Sequence, residues 1–499
     1  MSAPAQRLGL ATKVSYGLGA AAQGVGGVAL ATATINFYLI SVVGMRPALV
    51  GVVILVSLVI DAVVDPVIGR WSDTFRSPWG RRHPFMYASA LPIALAICFF
   101  WRHPAGLSQG ELAAYVLVML IVVRLAGGLY VIPSDALAPE LAPDYHERTS
   151  LISWRWFFGL FGASAAGFIL RFVFLRKDAA HPLGQYDPAA YAGFGLAAAV
   201  LVFVAILVSA AATHRYIPQL RPAPRRRQSA PETLREIVRV LANPSLIAIM
   251  VSGLISGVAS GIGQTLADFM SYSFWDLTPQ TAALVGFWAA PGAIAGIALA
   301  PALSRALDKK RTMITVFTLS VCTGVIPTSL RLLGLAPPNG SPWIPVMLAA
   351  DLFVASSLGL VGFVIVGSMV ADVVEDAAVK TGVRSEGLLF AANGLLPKVT
   401  AGVGGLIGAL MLEAVHFQAT VRPGQVQHVD PAVMRHLALL SLPTGAVLNL
   451  VAIGVLGFYR IDRSTHEANL EALRTAAAVT EPPSALPTGP DPALAGPPL

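Results

Sequence analysis

Asp61 and Asp65 stand one helical turn apart in an otherwise apolar stretch, Asp61-Ala62-Val63-Val64-Asp65-Pro66-Val67-Ile68-Gly69. On membrane-insertion scales an Asp near a helix centre costs roughly 3 kcal/mol, so the pair opposes insertion by about 6 kcal/mol. At spacing i, i+4 the two carboxylates share one helix face, within about 6 Å of each other. Such a face has to look into protein or a water-filled cavity. Two acids that close cannot both ionise cheaply in low dielectric, so one takes up a proton or both hold a cation between them. Loading and releasing a positive charge is the chemistry of a coupling site. The alternative is a structural pair held permanently by Lys398 and Arg124.

Those two bases are also intramembrane. Lys398 lies about 12 residues into its apolar segment, hence roughly 18 Å deep. A Lys that pairs with the acids in the empty state competes with an arriving cation, which ties occupancy to conformation. Arg124 is as deep and cannot lose its charge. It serves either as an anion anchor, suited to a carboxylate, or as a fixed partner of Asp61. Arg124, Val131 and Asp135 are spaced 7 and 4 apart, on one face, with Gly127 and Gly128 between them. Trp154, Trp156, Trp288 and Gln264 are candidate stacking and hydrogen-bonding neighbours.

The elements that carry these residues are membrane helices. The chain has 499 residues, 55% hydrophobic and 12% charged, with a mean hydropathy of +0.69. That charged fraction is about half of what a soluble chain carries. Apolar stretches of about 20 residues span the hydrocarbon as helices. Twelve are expected, at 17–43, 46–69, 84–101, 112–138, 151–173, 190–212, 244–272, 280–303, 312–334, 343–372, 386–415 and 434–459. The first lacks a small-residue cleavage site and reads as a retained helix, not a signal peptide. The organisation expected is an N-terminal six-helix bundle (1–212), a cytoplasmic linker (213–243), a C-terminal six-helix bundle (244–460) and a disordered cytoplasmic tail (461–499). A short amphipathic surface helix is expected from Pro231.

With an even number of spans both termini share one side. Of the 34 Lys and Arg, 24 fall on that side and eight on the other. The positive-inside rule makes both termini cytoplasmic. The net charge of +7 is mostly this bias, with no basic stripe on a soluble face to suggest nucleic acid. Two cysteines, Cys98 and Cys322, are too few for a disulfide framework. A Gly-x-Ser-x-Gly elbow, a phosphate-binding Gly-Lys-Ser/Thr loop and an intramembrane His/acid cluster are all missing, which argues against an enzyme or an ATP-driven pump.

The string Asp61-xxx-Asp65-Pro66-xx-Gly69-xx-Ser72-Asp73, then Gly80-Arg81-Arg82-x-Pro84, resembles the glycoside–pentoside–hexuronide:cation symporters of the major facilitator superfamily, of which the melibiose carriers are the best known. The resemblance continues through Lys13-Val-Ser-Tyr-Gly, Ile132-Pro133…Pro139-Glu140-Leu141, Glu147-Arg148-Thr149-Ser150-Leu151…Arg155, Ala371-Asp372…Asp376, Arg384-Ser385-Glu386-Gly387 and Lys398. It implies an all-α membrane fold of two six-helix bundles around a central cavity, alternating access, and a solute moved together with a cation. On that basis Asp61 and Asp65 are expected to bind the cation and Lys398 to couple it. Gln23, Arg124, Asp135, Arg155 and Gln264 are expected to line the solute site. Asp73 with Arg81 and Arg82, Asp308 with Lys309 to Arg311, and Asp372 with Arg384 and Glu386 are expected to form a cytoplasmic gate of ion pairs between the bundles in the outward-open state.

The departures are informative. Where the melibiose carriers have sugar-binding acids in spans 1 and 4, this chain has Gly24 (preceded by Gln23) and Val131, and their stacking aromatic is Asp135 here. The galactoside-binding set is therefore missing. Their additional cation ligands, an Asn between the acids and a Thr on span 4, are Val64 and Gly128. Losing two neutral oxygens strips a sodium cage and leaves a proton site intact, so H+ is favoured over Na+. The expectation is a monomeric symporter of the plasma (inner) membrane, without cofactor or metal, moving a sugar or glycoside. A carrier of an amphiphile such as a lysolipid, or of a sugar acid anchored by Arg124, is the alternative.

Overall fold

The computed structural model describes residues 8–177, 182–220, 243–381, 386–417 and 429–461, with three isolated positions beyond. At 386–396 and a few further helix positions it describes the backbone alone. All regular structure among the described residues is helical. Eleven helices among the described residues are long and apolar enough to cross a membrane: α1 (Leu10–Val42), α2 (Pro47–Thr74), α3 (His83–Phe100), α4 (Gln109–Leu141), α5 (His146–Phe174), α6 (Pro188–His214), α7 (Pro244–Phe274), α8 (Pro279–Leu307), α9 (Lys309–Leu332), α10 (Trp343–Val373) and α12 (Pro431–Leu456); α11 (Glu386–Ala414) is a further long helix. Each of the twelve expected spans has its helix, half of them several residues longer. The linker from Arg221 to Ala242, including the surface helix expected from Pro231, lies outside the described residues.

Local chemistry sets the starts. Asp187, Asn243, Thr278 and Asp430 each accept a backbone N–H of the first turn, and each precedes a proline at the first helical position. Ser108 and Glu111 form a reciprocal capping box at the start of α4. α1 departs from the expectation of one continuous span, breaking at Leu30-Ala31 just after Gly24, Gly26 and Gly27.

The halves repeat one another in backbone detail. α1 ends with Val43 N–H on the carbonyl of Tyr38 (3.0 Å) and Met45 N–H on Leu39 (2.8 Å). α7 ends with Trp275 N–H on Met270 (2.9 Å) and Leu277 N–H on Ser271 (2.9 Å). Between them the chain turns through a left-handed residue, Gly44 (φ 79°) in the first half and Asp276 (φ 52°) in the second. Pro47 and Pro279 then open α2 and α8. α5 and α11 end alike, with Leu175 N–H on Leu170 (2.8 Å) and Phe417 N–H on Leu412 (2.9 Å). Asp276 accepts a conformation that usually needs glycine, as Asp does more readily than most residues.

Within the first half α1 packs on α5 and α6, α3 on α4 and α6, and α2 on α4. Within the second, α7 packs on α11 and α12, α8 on α10, and α9 on α10 and α12. The seam between halves is α2 against α11, with the end of α1 against α7. Small residues set it: a side chain at Gly51 would meet Ala409 and Leu406, and one at Gly402 would meet Leu55. Lipid tails solvate apolar helices well, so close backbone approach of this kind, not water exclusion, holds membrane helices together. For the geometry below, the end carrying the start of α1, Arg81 and Arg82 is the terminal end; the other is the distal end.

Candidate functional site

α2 brings Asp61 and Asp65 to the seam, and α11 brings Lys398 to meet them. Both helices carry a proline beside the charge, Pro66 after Asp65 and Pro397 before Lys398. A proline within a helix removes one i→i−4 bond and bends it, which loosens both helices where they carry charge. Lys398 Nζ lies 2.7 Å from Asp61 Oδ2 and also pairs closely with Asp65 Oδ2. Arg124 Nη1 stands 3.9 Å from Asp61 Oδ2, and its Nε donates to Ser57 Oγ at 3.0 Å. Ser57 in turn donates to the carbonyl of Ile54 at 2.7 Å. Ser57, one turn before Asp61 on the same face, was not among the expected site residues; its i−4 spacing from Asp61 was the available signal. Asp61 is buried, and Asp65 keeps about a third of its side chain exposed.

The four charges cancel formally. Three come from the first half and Lys398 alone from the second, so any change of charge on the acids acts across the seam. They sit on the wall of a cavity of about 380 Å³, within the size range of small-molecule sites. Gln23, Gly26, Gly27, Gly127 and Gly128 share that wall, and most of the remainder is aliphatic. Gln23 Nε2 is buried with no hydrogen-bond partner among the described residues. A Cβ at Gly128 would lie 3.1 Å from Asp65 Oδ1, so this glycine is what leaves room beside the carboxylate.

The structure does not bring all the expected solute residues together. Gln23 and Arg124 line the cavity; Asp135, Arg155 and Gln264 are not among its lining residues. Asp135 pairs with Arg155, which also donates to Tyr16 Oη (2.8 Å) and Ser134 Oγ (3.0 Å). Asp135 shares a face with Arg124 but lies 11 residues along, about 16 Å down the helix axis, which carries it out of the chamber. Gln264 is exposed on α7 and donates to Ser260 at 3.1 Å. Trp154, Trp156 and Trp288 are likewise outside the lining. Trp154 instead stacks on Phe158.

At the expected gate residues that are described, the ion pairs in this state lie within one half or the other. Arg82 lies 3.6 Å from Asp73 and 2.9 Å from Glu140, and Arg81 pairs with the same Glu140, all within the first half. Asp372 is held by Lys309 Nζ at 2.7 Å, within the second half. Asp308 turns the chain between α8 and α9 with φ 64°, and its carbonyl accepts the Thr312 hydroxyl at 2.7 Å. Arg384 lies outside the described residues, as does the side chain of Glu386. Burial beside Arg81 pushes the Arg82 guanidinium below its ordinary value, which Glu140 and Asp73 oppose. These pairs brace the loop after α2 against the end of α4.

A family model described as MFS/sugar transport protein matches residues 15–463. The chain belongs to that family. It is therefore a multi-pass membrane protein of a family described by transport. An uncharacterized symporter of Synechocystis is 33% identical over 42% of this chain and 38% of its own length. A putative glycoside/cation symporter of Escherichia coli is 29% identical over 43% and 46%. The match thus spans less than half of either relative. An isoprimeverose transporter of Lactiplantibacillus pentosus is 24% identical over 87% of this chain and 85% of its own. Among solved structures the nucleoside transporter NupG superposes with a TM-score of 0.60 at 13% identity, covering 89% of this chain and 98% of that one. The inward-open xylose transporter XylE of E. coli gives 0.57 at 13%, covering 92% and 98%. These superpositions establish the major facilitator fold of two six-helix bundles.

Proposed function

We propose that this family member is a secondary carrier that moves a sugar or glycoside with a cation by alternating access, and that the cation is a proton. The observation that carries the reading is the Asp61–Asp65–Lys398 cluster, which spans the seam on the cavity wall. When a proton neutralises Asp65, Lys398 loses one of its two carboxylates, and the tie between α2 and α11 weakens. The halves at 1–212 and 244–460, joined by 213–243, are then free to rock. The names of the glycoside/cation symporter and isoprimeverose relatives support the solute class.

Proton is favoured over sodium on ligand count. Sodium wants several oxygens, yet the places beside the acids hold Val64 and Gly128, which offer no side-chain oxygen. The Lys/Arg bias supports cytoplasmic termini on a carrier of the plasma membrane. The contacts that tie the halves at the distal end then make this an inward-facing state.

A sugar acid is the second reading, favoured by Arg124 and Lys398 on one wall. Once an acid is protonated, the cluster carries a net positive charge facing the cavity. A putative 2,3-dihydroxypropane-1-sulfonate exporter of E. coli, 25% identical over 94% of this chain, agrees with an anionic cargo. The test is uptake into proteoliposomes of a panel of pentosides, disaccharides and uronides, under imposed pH or sodium gradients. Accumulation driven by a pH gradient, and lost in Asp61→Asn and Asp65→Asn, supports the proposal. Sodium-driven uptake with no response to pH overturns proton coupling.

A further inference from the structure

At the distal end the halves meet through contacts related by the internal repeat. The first turn of α2 gives Ala48 N–H to Glu413 of α11 at 3.0 Å. The first turn of α8 gives Gln280 Nε2 to the carbonyls of Arg171 (2.7 Å) and Leu175 (3.1 Å) of α5. Between them the Phe37 ring packs edge-on against Tyr272 at 5.0 Å and against Phe269 at 5.4 Å. Inside this ring of contacts lies one charged pair. Arg171 Nη2 stands 3.7 Å from Asp268 Oδ1, and the Thr34 hydroxyl donates to Asp268 Oδ2 at 3.5 Å. Tyr272 and Tyr191 are the other titratable groups beside the pair. Arg171 comes from the first half and Asp268 from the second. The repeat places Asn36 where Asp268 would recur and Glu413 where Arg171 would, so the Arg–Asp pair stands on one side of the pseudo-twofold only.

We propose that Arg171 and Asp268 are the lock of the distal gate, and that they set the balance between the two open states. Closing the distal end buries both; opening parts them and hydrates each. The pair is loose, and Arg171 Nε has no hydrogen-bond partner. A buried pair of this quality holds a seam without making it irreversible, because desolvation offsets much of its attraction. Removing one member is different, since it leaves an uncompensated charge in the closed seam. Asp268→Asn should therefore favour distal opening, whereas Arg171→Gln with Asp268→Asn removes the charge altogether and should restore closure. A merely structural pair would give two additive losses. The inference rests on the halves moving as a carrier does, not on the solute or ion.

The test places a cysteine at Val131, on the cavity wall, in a chain with Cys98 and Cys322 replaced by alanine. A membrane-impermeant maleimide is applied to either face of oriented vesicles. Asp268→Asn is expected to label about tenfold faster from the distal face, and more slowly from the terminal face, with the double variant within about twofold of the parent. Thr34→Val should shift labelling the same way by less, and serves if Asp268→Asn does not reach the membrane. Labelling unchanged from either face overturns the lock. Because the readout is access and not uptake, a mistaken solute or ion leaves the result standing.

Discussion

Lys398 Nζ lies 2.7 Å from Asp61 Oδ2, and this contact joins helices from opposite halves of the molecule. The same ammonium holds Asp65, so one residue of α11 reads the charge on both acids of α2. In the resting cluster two positive and two negative side chains balance. A site of this kind cannot accept a cation without releasing Lys398 from at least one partner. In the mechanism proposed above, ion binding and loosening of the seam are thus one event.

Lys398→Gln should uncouple the carrier. It leaves Asp61 with Arg124 alone, at 3.9 Å, and leaves Asp65 with no base among the charged groups of the cluster. Solute exchange between equal concentrations should continue, while accumulation up a gradient falls at least about tenfold. Parallel exchange and uphill-uptake assays separate the two.

The two aspartates should not be equivalent. Asp61 is buried and answers to both Lys398 and Arg124, while Asp65 is partly exposed and answers to Lys398 alone. Asp61→Asn leaves a buried guanidinium short of its counter-charge, a change that costs about 3 kcal/mol or more in buried pairs. Asp65→Asn should cost less stability and as much coupling. Thermal unfolding in detergent ranks the first effect and pH-driven uptake the second.

Much of this was legible in the sequence, and the reason is the bilayer. Apolar length alone marks a spanning helix, and a charge within one is conspicuous, so the twelve spans, Asp61, Asp65, Arg124 and Lys398 could all be found. What sequence could not supply is how far each helix reaches beyond the seam. Arg171 lies at the very end of the expected span 151–173, and nothing in the sequence tells that this last turn of α5 faces Asp268. Asp268 itself, an acid inside an apolar span, was visible and went unused. Of the gate acids, Asp73 meets Arg82 as the sequence leads one to expect, and the ion pairs that the structure shows at these residues lie within one half. Asp372 answers to Lys309 of its own half.

Neutralising Arg82 tests that reassignment. Arg82 braces Glu140 and Asp73 within the first half and is nearly closed to solvent. Arg82→Gln should lower the unfolding temperature of the purified protein, with a loss of about 2–3 kcal/mol. It should leave maleimide access to a cysteine at Val131 unchanged from either face. Altered access at unchanged stability would return Arg82 to the gate between the halves.

The identity of the ion can be pressed hardest at Gly128. A Cβ there would lie 3.1 Å from both Asp65 Oδ1 and Ile68 Cδ1, closer than ordinary contact, so a small side chain fits only if both neighbours give by a few tenths of an ångström. Gly128→Ser sets a hydroxyl beside Asp65, and Val64→Asn, on the residue just before it, adds an amide oxygen. Together they supply the two neutral ligands that the acids lack for a hard cation such as sodium. The double variant should gain stimulation of uptake by sodium at fixed pH, about two- to tenfold at saturating sodium, and should lose part of its response to a pH gradient. Gly128→Ala, which adds bulk without oxygen, separates crowding from ligation: it should slow uptake without conferring any sodium response. If both variants respond alike, the acids are not the ion site, because added oxygen beside them made no difference that a methyl group did not.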